Sequence, residues 1–107
     1  MPSVQVIETK VVGVSKKNTD GSSRQDIIKD SIVEGSEIRL EPEPDNPHDP
    51  DAIKVMTMSS LQIGYLSREV APTVKSAIDH DTNVIAKVRW VSGHEIQGVG
   101  LRVELVN

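Results

Sequence analysis

Apolar and polar positions alternate with a period of two along much of this chain, and the alternation breaks in two places. Residues 98–106, GVGLRVELV, put Val99, Leu101, Val103 and Leu105 on one face and Arg102 and Glu104 on the other, the signature of a half-buried strand. Residues 83–91, NVIAKVRWV, alternate in the same way, with Val84, Ala86, Val88 and Trp90 facing inward, and SGHE at 92–95 reads as the hairpin turn between the two. Residues 4–14, VQVIETKVVGV, form a long first strand in which Gly13 marks a bend or a close backbone approach. SEIRL at 36–40 is a short strand with Ile38 and Leu40 on one face. AIKVMTM at 52–58 is another, with Ile53 and Val55 inward and Lys54 outward. SSLQIGYL at 59–66 supplies a turn and a partner strand whose Leu61, Ile63 and Tyr65 share a face.

The two breaks predict short helices. RQDIIKDSI at 24–32 groups Ile27, Ile28 and Ile32 on one side, capped by Ser22 or Ser23 and ended by Gly35. Such a helix is too short to persist alone and must dock on a sheet. In SREVAPTVKSAIDH at 67–80 the obstacle is Pro72, which costs about 3 kcal/mol deep inside a helix. The segment therefore turns over 67–70, with Ser67 the candidate N-cap, and becomes regular helix from Ala71 with Val74, Ala77 and Ile78 as its apolar stripe. SKKNTDGSS at 15–23 is a loop with an Asp20-Gly21 turn. Residues 41–51, EPEPDNPHDPD, contain four prolines. These remove N–H donors and fix φ, so the segment is a rigid, extended connector.

Composition agrees with a sheet. The apolar set holds 15 Val and 10 Ile against 5 Leu, and branching at Cβ suits a pleated surface. The chain reads as mainly β with two short helices (α+β). A closed or half-closed barrel of about six strands leaves the fewest exposed edges, and periodicity does not choose between OB-like and SH3-like versions. At 107 residues the chain has room for one modest core, and residues 1–107 read as a single domain. It has no cysteine, no apolar run of membrane-spanning length and no signal-peptide pattern at its start. A soluble, cytoplasmic protein with no membrane partner is the expectation.

Charge narrows the function. The formal net charge is −4, which excludes a protein that coats nucleic acid through a general basic surface. Residues 34–51 carry seven carboxylates against Arg39 alone, a local net charge of −6. Aromatic residues are limited to Tyr65 and Trp90, so few bases could stack on protein rings.

The densest polar stretch is DNPHDPDAIKV at 45–55. Read as a calcium loop from Asp45, it has Pro47, Pro50 and Met56 where a ligand, a glycine and a glutamate are required. Zinc is disfavoured by three dispersed histidines and no cysteine. His48 and Asp49 are adjacent on an extended chain and point to opposite faces, so they make no oriented acid–base pair. No metal, cofactor or catalytic activity is expected. The remaining chemistry is cationic: Lys16, Lys17, Arg24 and Lys29 along the first loop and helix, Lys54 on the strand after the proline-rich loop, and Arg68 at the start of the second helical segment, where backbone N–H groups also attract anions.

The order of these segments resembles the HIRAN domain family. The likeness runs from about Val6 to Val106, and its specific part is PDNPHDPDAIKV followed closely by IGYLSRE. It implies a small modified OB-like or SH3-like barrel and a non-catalytic module that binds nucleic acid, with single-stranded DNA and its 3′ end as ligand. By resemblance, Asn46 and Asp49 contact the terminal nucleotide, His48 stands where eukaryotic members carry a stacking tyrosine, and Arg68 contacts phosphate. Lys16, Lys17 and Lys54 complete the expected nucleic-acid-binding set. An aspartate suits a chain end, because its carboxylate accepts a hydrogen bond from a free hydroxyl and repels a continuing phosphate. This chain departs from the family where Lys16 replaces an aromatic, Pro42 an arginine and Asp51 an asparagine. Each change makes the site more acidic or less aromatic, so DNA binding is expected to be weak. The same changes motivate an alternative, a protein-interaction domain that has lost DNA binding.

Overall fold

Strict alternation over Val99, Leu101, Val103 and Leu105 drives four side chains to one side of the last strand, where all four are buried. That strand, β6 (Gly98–Val106), is central to a closed barrel in the order β1-β4-β3-β2-β5-β6, with β1 Val4–Val12, β2 Glu37–Pro42, β3 Ile53–Thr57, β4 Gln62–Leu66 and β5 Asn83–Ser92. The computed structural model describes residues 3–107. Every neighbouring pair is antiparallel, and β1 closes the barrel by running from Val4↔Val106 to Lys10↔Gly100 along β6 before turning to pair Val11 and Val12 with β4. The interior holds Ile53, Val55, Ile63, Val99, Leu101 and Val103, each with essentially no exposed surface. Burying one such side chain contributes roughly 1.5–3 kcal/mol.

The two helices cover this core. In α1 (Arg24–Ser31) Ile27 and Ile28 are buried and Ile32, the C-cap residue, is buried just beyond. Ser23 is the N-cap, its Oγ accepting a hydrogen bond from the Asp26 N–H at 3.2 Å. The chain leaves the helix at Ile32 in extended conformation, three residues before the glycine expected to end it. In α2 (Ala71–Asp79) Pro72 occupies the first turn and Val74 is fully buried. The turn over 67–70 forms, with the Ser67 carbonyl accepting from the Val70 and Ala71 N–H groups. Val70 rather than Ser67 is the N-cap residue, and the Ser67 hydroxyl instead meets that of Thr9 at 3.4 Å. Among the described residues no helix is long and apolar enough to cross a membrane.

Two β-bulges correct the facing expected from period-two alternation. Between β3 and β4 the register passes from Val55↔Gly64 to Met56↔Gln62, which leaves Ile63 as an extra residue. Ile63 stays inside, but Tyr65 now pairs with outward-facing Lys54 and is only half-buried, while Leu61 lies outside the strand and is exposed. Between β5 and β6 the register passes from Val88↔Leu101 to Trp90↔Gly100, which leaves Arg89 extra. Val91, opposite Val99, packs on the core, and Trp90 lies on the outer surface across Gly98 and Gly100. An inserted residue reverses the facing of the side chains beyond it, so both aromatic residues expected inside face outward.

The β1–β4 crossing is close enough to require glycine. A Cβ at Gly64 would lie 2.5 Å from Val11 Cγ1 and 2.5 Å from the Val12 carbonyl oxygen. Backbone cannot yield as a side chain can, and overpacking costs about 1–3 kcal/mol. Gly64→Ala is therefore expected to lower the unfolding free energy by about that amount in urea denaturation. An unchanged midpoint would show that the crossing can relax.

Candidate nucleic-acid interface

The proline-rich loop is held in shape by its own polar side chains. Asn46 Oδ1 accepts hydrogen bonds from the His48 N–H at 2.9 Å and the Asp49 N–H at 3.1 Å. Asp49 Oδ1 accepts from the Asp51 N–H at 2.9 Å. These are the turns that Asx side chains favour, and they satisfy backbone donors that have no strand partner. The Glu43 N–H and the Ala52 carbonyl close the loop at 2.8 Å. The other Asp49 oxygen, Oδ2, is left facing Arg68, whose Nε lies 3.9 Å away. Arg68 is largely exposed, so this loose pair stabilises the fold little and leaves the guanidinium free to move.

Glu43 ties the loop to the barrel. Its Oε1 accepts from Asn46 Nδ2 at 2.7 Å and from the Tyr65 hydroxyl at 2.9 Å, and its Oε2 lies 3.2 Å from Lys54 Nζ. Partial burial pushes the Glu43 carboxyl up, but the hydrogen bonds from Asn46, Tyr65 and Lys54 outweigh it and hold the pKa below its ordinary 4.5. Across the site Arg24 is buried, donating from Nε to Asn18 Oδ1 at 2.7 Å and from Nη1 to the Gly13 carbonyl at 2.9 Å. Gly13 adopts a φ of +73° at the end of β1, a left-handed conformation that glycine accepts without strain, and so aims its carbonyl at Arg24. The guanidinium sits 5.5 Å from the Tyr65 ring centroid. Among the described residues it has no carboxylate partner at ion-pair distance.

These elements enclose a cleft of about 430 Å³, lined by Lys16, Asn46, His48, Asp49 and Arg68 of the residues expected at the site, and by Val12, Gly13, Arg24, Ala52, Tyr65 and Leu66. Two expected residues lie elsewhere. Lys17 is on the adjacent loop, bridged to Ser23. Lys54 is engaged by Glu43 and, at 3.8 Å, by Glu41. Arg24, a candidate cation left out of the expected binding set, and Tyr65, expected only as a strand residue, also line the cleft. No local pattern marks the β4 bulge that exposes Tyr65, whereas an arginine in the first turn of an apolar helix is visible in the sequence. Among the described residues no group of His, Asp and Glu is arranged to hold a metal ion.

Comparison with known proteins bears on this arrangement. The family model for the HIRAN domain matches residues 4–106. This chain belongs to the HIRAN domain family. It is similar to the helicase-like transcription factor of Mus musculus, 38% identical over 61 residues, and to that of Oryctolagus cuniculus, 36% identical over 61 residues. Those matches cover 56% of this HIRAN domain chain and 6% of each relative. In structure it resembles the HIRAN domain of human HLTF, with a TM-score of 0.77 and 18% identity over 99% of this chain and 79% of that one. A Lactobacillus plantarum protein aligns with a TM-score of 0.74 and 18% identity over 98% of this chain and 99% of that one. At that identity the structural likeness speaks to fold, which is the barrel with two helices described above.

Glu43 gives the interface a pH signature. Because its folded-state pKa is depressed, its stabilisation is complete above the ordinary value of 4.5 and is lost as pH falls through the lower folded value. Glu43→Gln is expected to cost about 1–2 kcal/mol at neutral pH, the scale of one or two partly exposed hydrogen bonds. The gap between wild type and variant should shrink below pH 4.5. Chemical denaturation from pH 7 down to about pH 3 checks this, and a gap independent of pH would remove Glu43 from the role.

Proposed function

We propose that this HIRAN domain is a non-catalytic, cytoplasmic nucleic-acid-binding module that receives the 3′ end of single-stranded DNA in the Asn46–Asp49 cleft. The observation that carries the reading is the convergence of an acceptor carboxylate, three cations and an aromatic ring on one cleft. Asp49 Oδ2 accepts a hydrogen bond from the terminal 3′-hydroxyl and repels a phosphate in its place. Lys16 and Arg68 take the preceding phosphate, and Arg24, buried without a counter-charge among the described residues, adds a fixed positive potential behind it. Tyr65 and His48 present ring surface to a base. The cleft volume falls within the range of small-ligand pockets, which suits a terminal nucleotide rather than a duplex.

With few cations and a net charge of −4, binding should be modest, with a shallow log–log salt slope of about 0.7 for each phosphate contact on a single strand. In fluorescence anisotropy a 3′-hydroxyl oligonucleotide should bind about tenfold or more tightly than its 3′-phosphate counterpart, the worth of one charge-assisted hydrogen bond. Asp49→Ala should abolish that preference. Arg68→Ala should lower the log–log salt slope by about 0.7, one phosphate contact on a single strand. Equal binding of both ends, unchanged in Asp49→Ala, excludes end recognition.

The acidic segment 34–51 favours a second reading, a protein-interaction domain. Its Glu34, Glu37 and Asp45 are exposed and give that side of the barrel a negative field. This reading replaces the first if oligonucleotides fail to bind at low salt while a defined protein partner binds wild type but not a Glu37→Lys, Asp45→Lys variant.

A further inference from the structure

The outer face of β1, β6 and β5 carries a row of groups that the cleft does not use. Lys10, Gly100 and Trp90 are cross-strand neighbours on that face. The Trp90 ring lies across Gly98 and Gly100, which have no side chains to lift it, and Lys10 Nζ stands 5.9 Å from its centroid, within cation–π range. The same face bears Lys87, Arg89 and Arg102. Glu8 and Glu104 pair with the two arginines at 3.3 and 3.0 Å. Among the described residues Lys10 and Lys87 have no carboxylate at ion-pair distance. An acidic protein thus concentrates unneutralised positive charge around its one tryptophan.

This row adjoins the cleft. Val12, which lines the cleft and pairs with Tyr65, is exposed and lies two residues beyond Lys10 on the same face of β1. A two-residue step is about 7 Å and each strand spacing about 4.8 Å, so Trp90 lies on the order of 12 Å from the cleft wall by strand geometry. With the terminal nucleotide seated inside the cleft, that distance beyond the wall lies past the reach of a trimer and within that of an octamer.

We propose that this face is a second nucleic-acid contact: the segment of single strand 5′ of the captured end runs over Lys10 and stacks a base on Trp90, with Lys87 toward the phosphates beyond. A flat aromatic beside lysines that have no counter-charge is the arrangement that binds single strands without reading sequence. The bulge at Arg89 serves it by turning the ring outward, as bulges re-aim side chains elsewhere. The inference rests on end capture in the cleft and extends its ligand from a terminal nucleotide to a short single strand.

The test compares a trimer and an octamer of deoxythymidine, both with free 3′-hydroxyls, by anisotropy and by tryptophan emission. The octamer should bind wild type at least fivefold more tightly than the trimer and quench Trp90, while the trimer leaves emission unchanged. Trp90→Ala should remove the octamer's advantage without weakening the trimer. Because Trp90 also covers two glycines, Trp90→Phe serves as the folded control and should retain part of the advantage. Lys10→Gln should lower the octamer's salt slope by about 0.7 and leave the trimer's unchanged. If trimer and octamer bind equally and emission does not respond, the second contact is excluded while end capture stands. If neither oligonucleotide binds at low salt, end capture itself fails, and the second contact with it.

Discussion

One carboxylate fixes the geometry on which the rest of the cleft depends. Glu43 stands where β2 gives way to the proline-rich loop, and its two oxygens collect a loop amide, a barrel tyrosine and a barrel lysine. The prolines around it cannot donate hydrogen bonds, so the loop has few other means of attachment. By holding Asn46, Glu43 also sets the amide oxygen that caps the His48 and Asp49 N–H groups. The direction of the Asp49 carboxylate is therefore a consequence of a contact made outside the cleft. The same contact engages Lys54, which explains why a cation on the adjoining strand does not join the site.

The barrel contributes rigidity and two departures from regularity. Each bulge inserts one residue and turns one aromatic ring outward: Ile63 for Tyr65, Arg89 for Trp90. The core does not suffer, because Ile63 itself is accommodated inside and Val91 packs inward where Trp90 would have been. The core cluster is consequently aliphatic, and both aromatic rings lie on the outer side of the barrel. Charge is divided in a similar way. The acidic block lies along β2 and its loop, while uncompensated lysines lie on the β1–β6–β5 face.

Much of this was legible in residue order. The six strands, both helices, the turn at 67–70 forced by Pro72 and the Ser23 cap follow from periodicity and from rules that act over a few residues. The crowding of Asn46, His48 and Asp49 was visible for the same reason, since adjacent Asx residues in a proline-rich loop shape their own backbone. What escaped involves partners far apart in the chain. Ser67 looked like a cap but meets Thr9 instead. Arg24 looked like a surface cation but is buried against the Gly13 carbonyl and Tyr65. Leu61 and Trp90 looked inward-facing because alternation was carried through bulges that no local composition marks.

The sequence by itself determined which segments are strands and helices, that the core is built from Val and Ile, and that the HIRAN-like loop is stiff and polar. Those properties depend on backbone propensity and on patterns within a dozen residues. Only the tertiary structure decided which cations share a cleft with Asp49, that Glu43 anchors the loop, and that both aromatic rings face outward. These depend on pairing register between strands, and register is set by the fit of whole faces against one another. A single inserted residue costs the ladder little yet reverses every side chain beyond it, so the outcome is fixed only when the barrel closes.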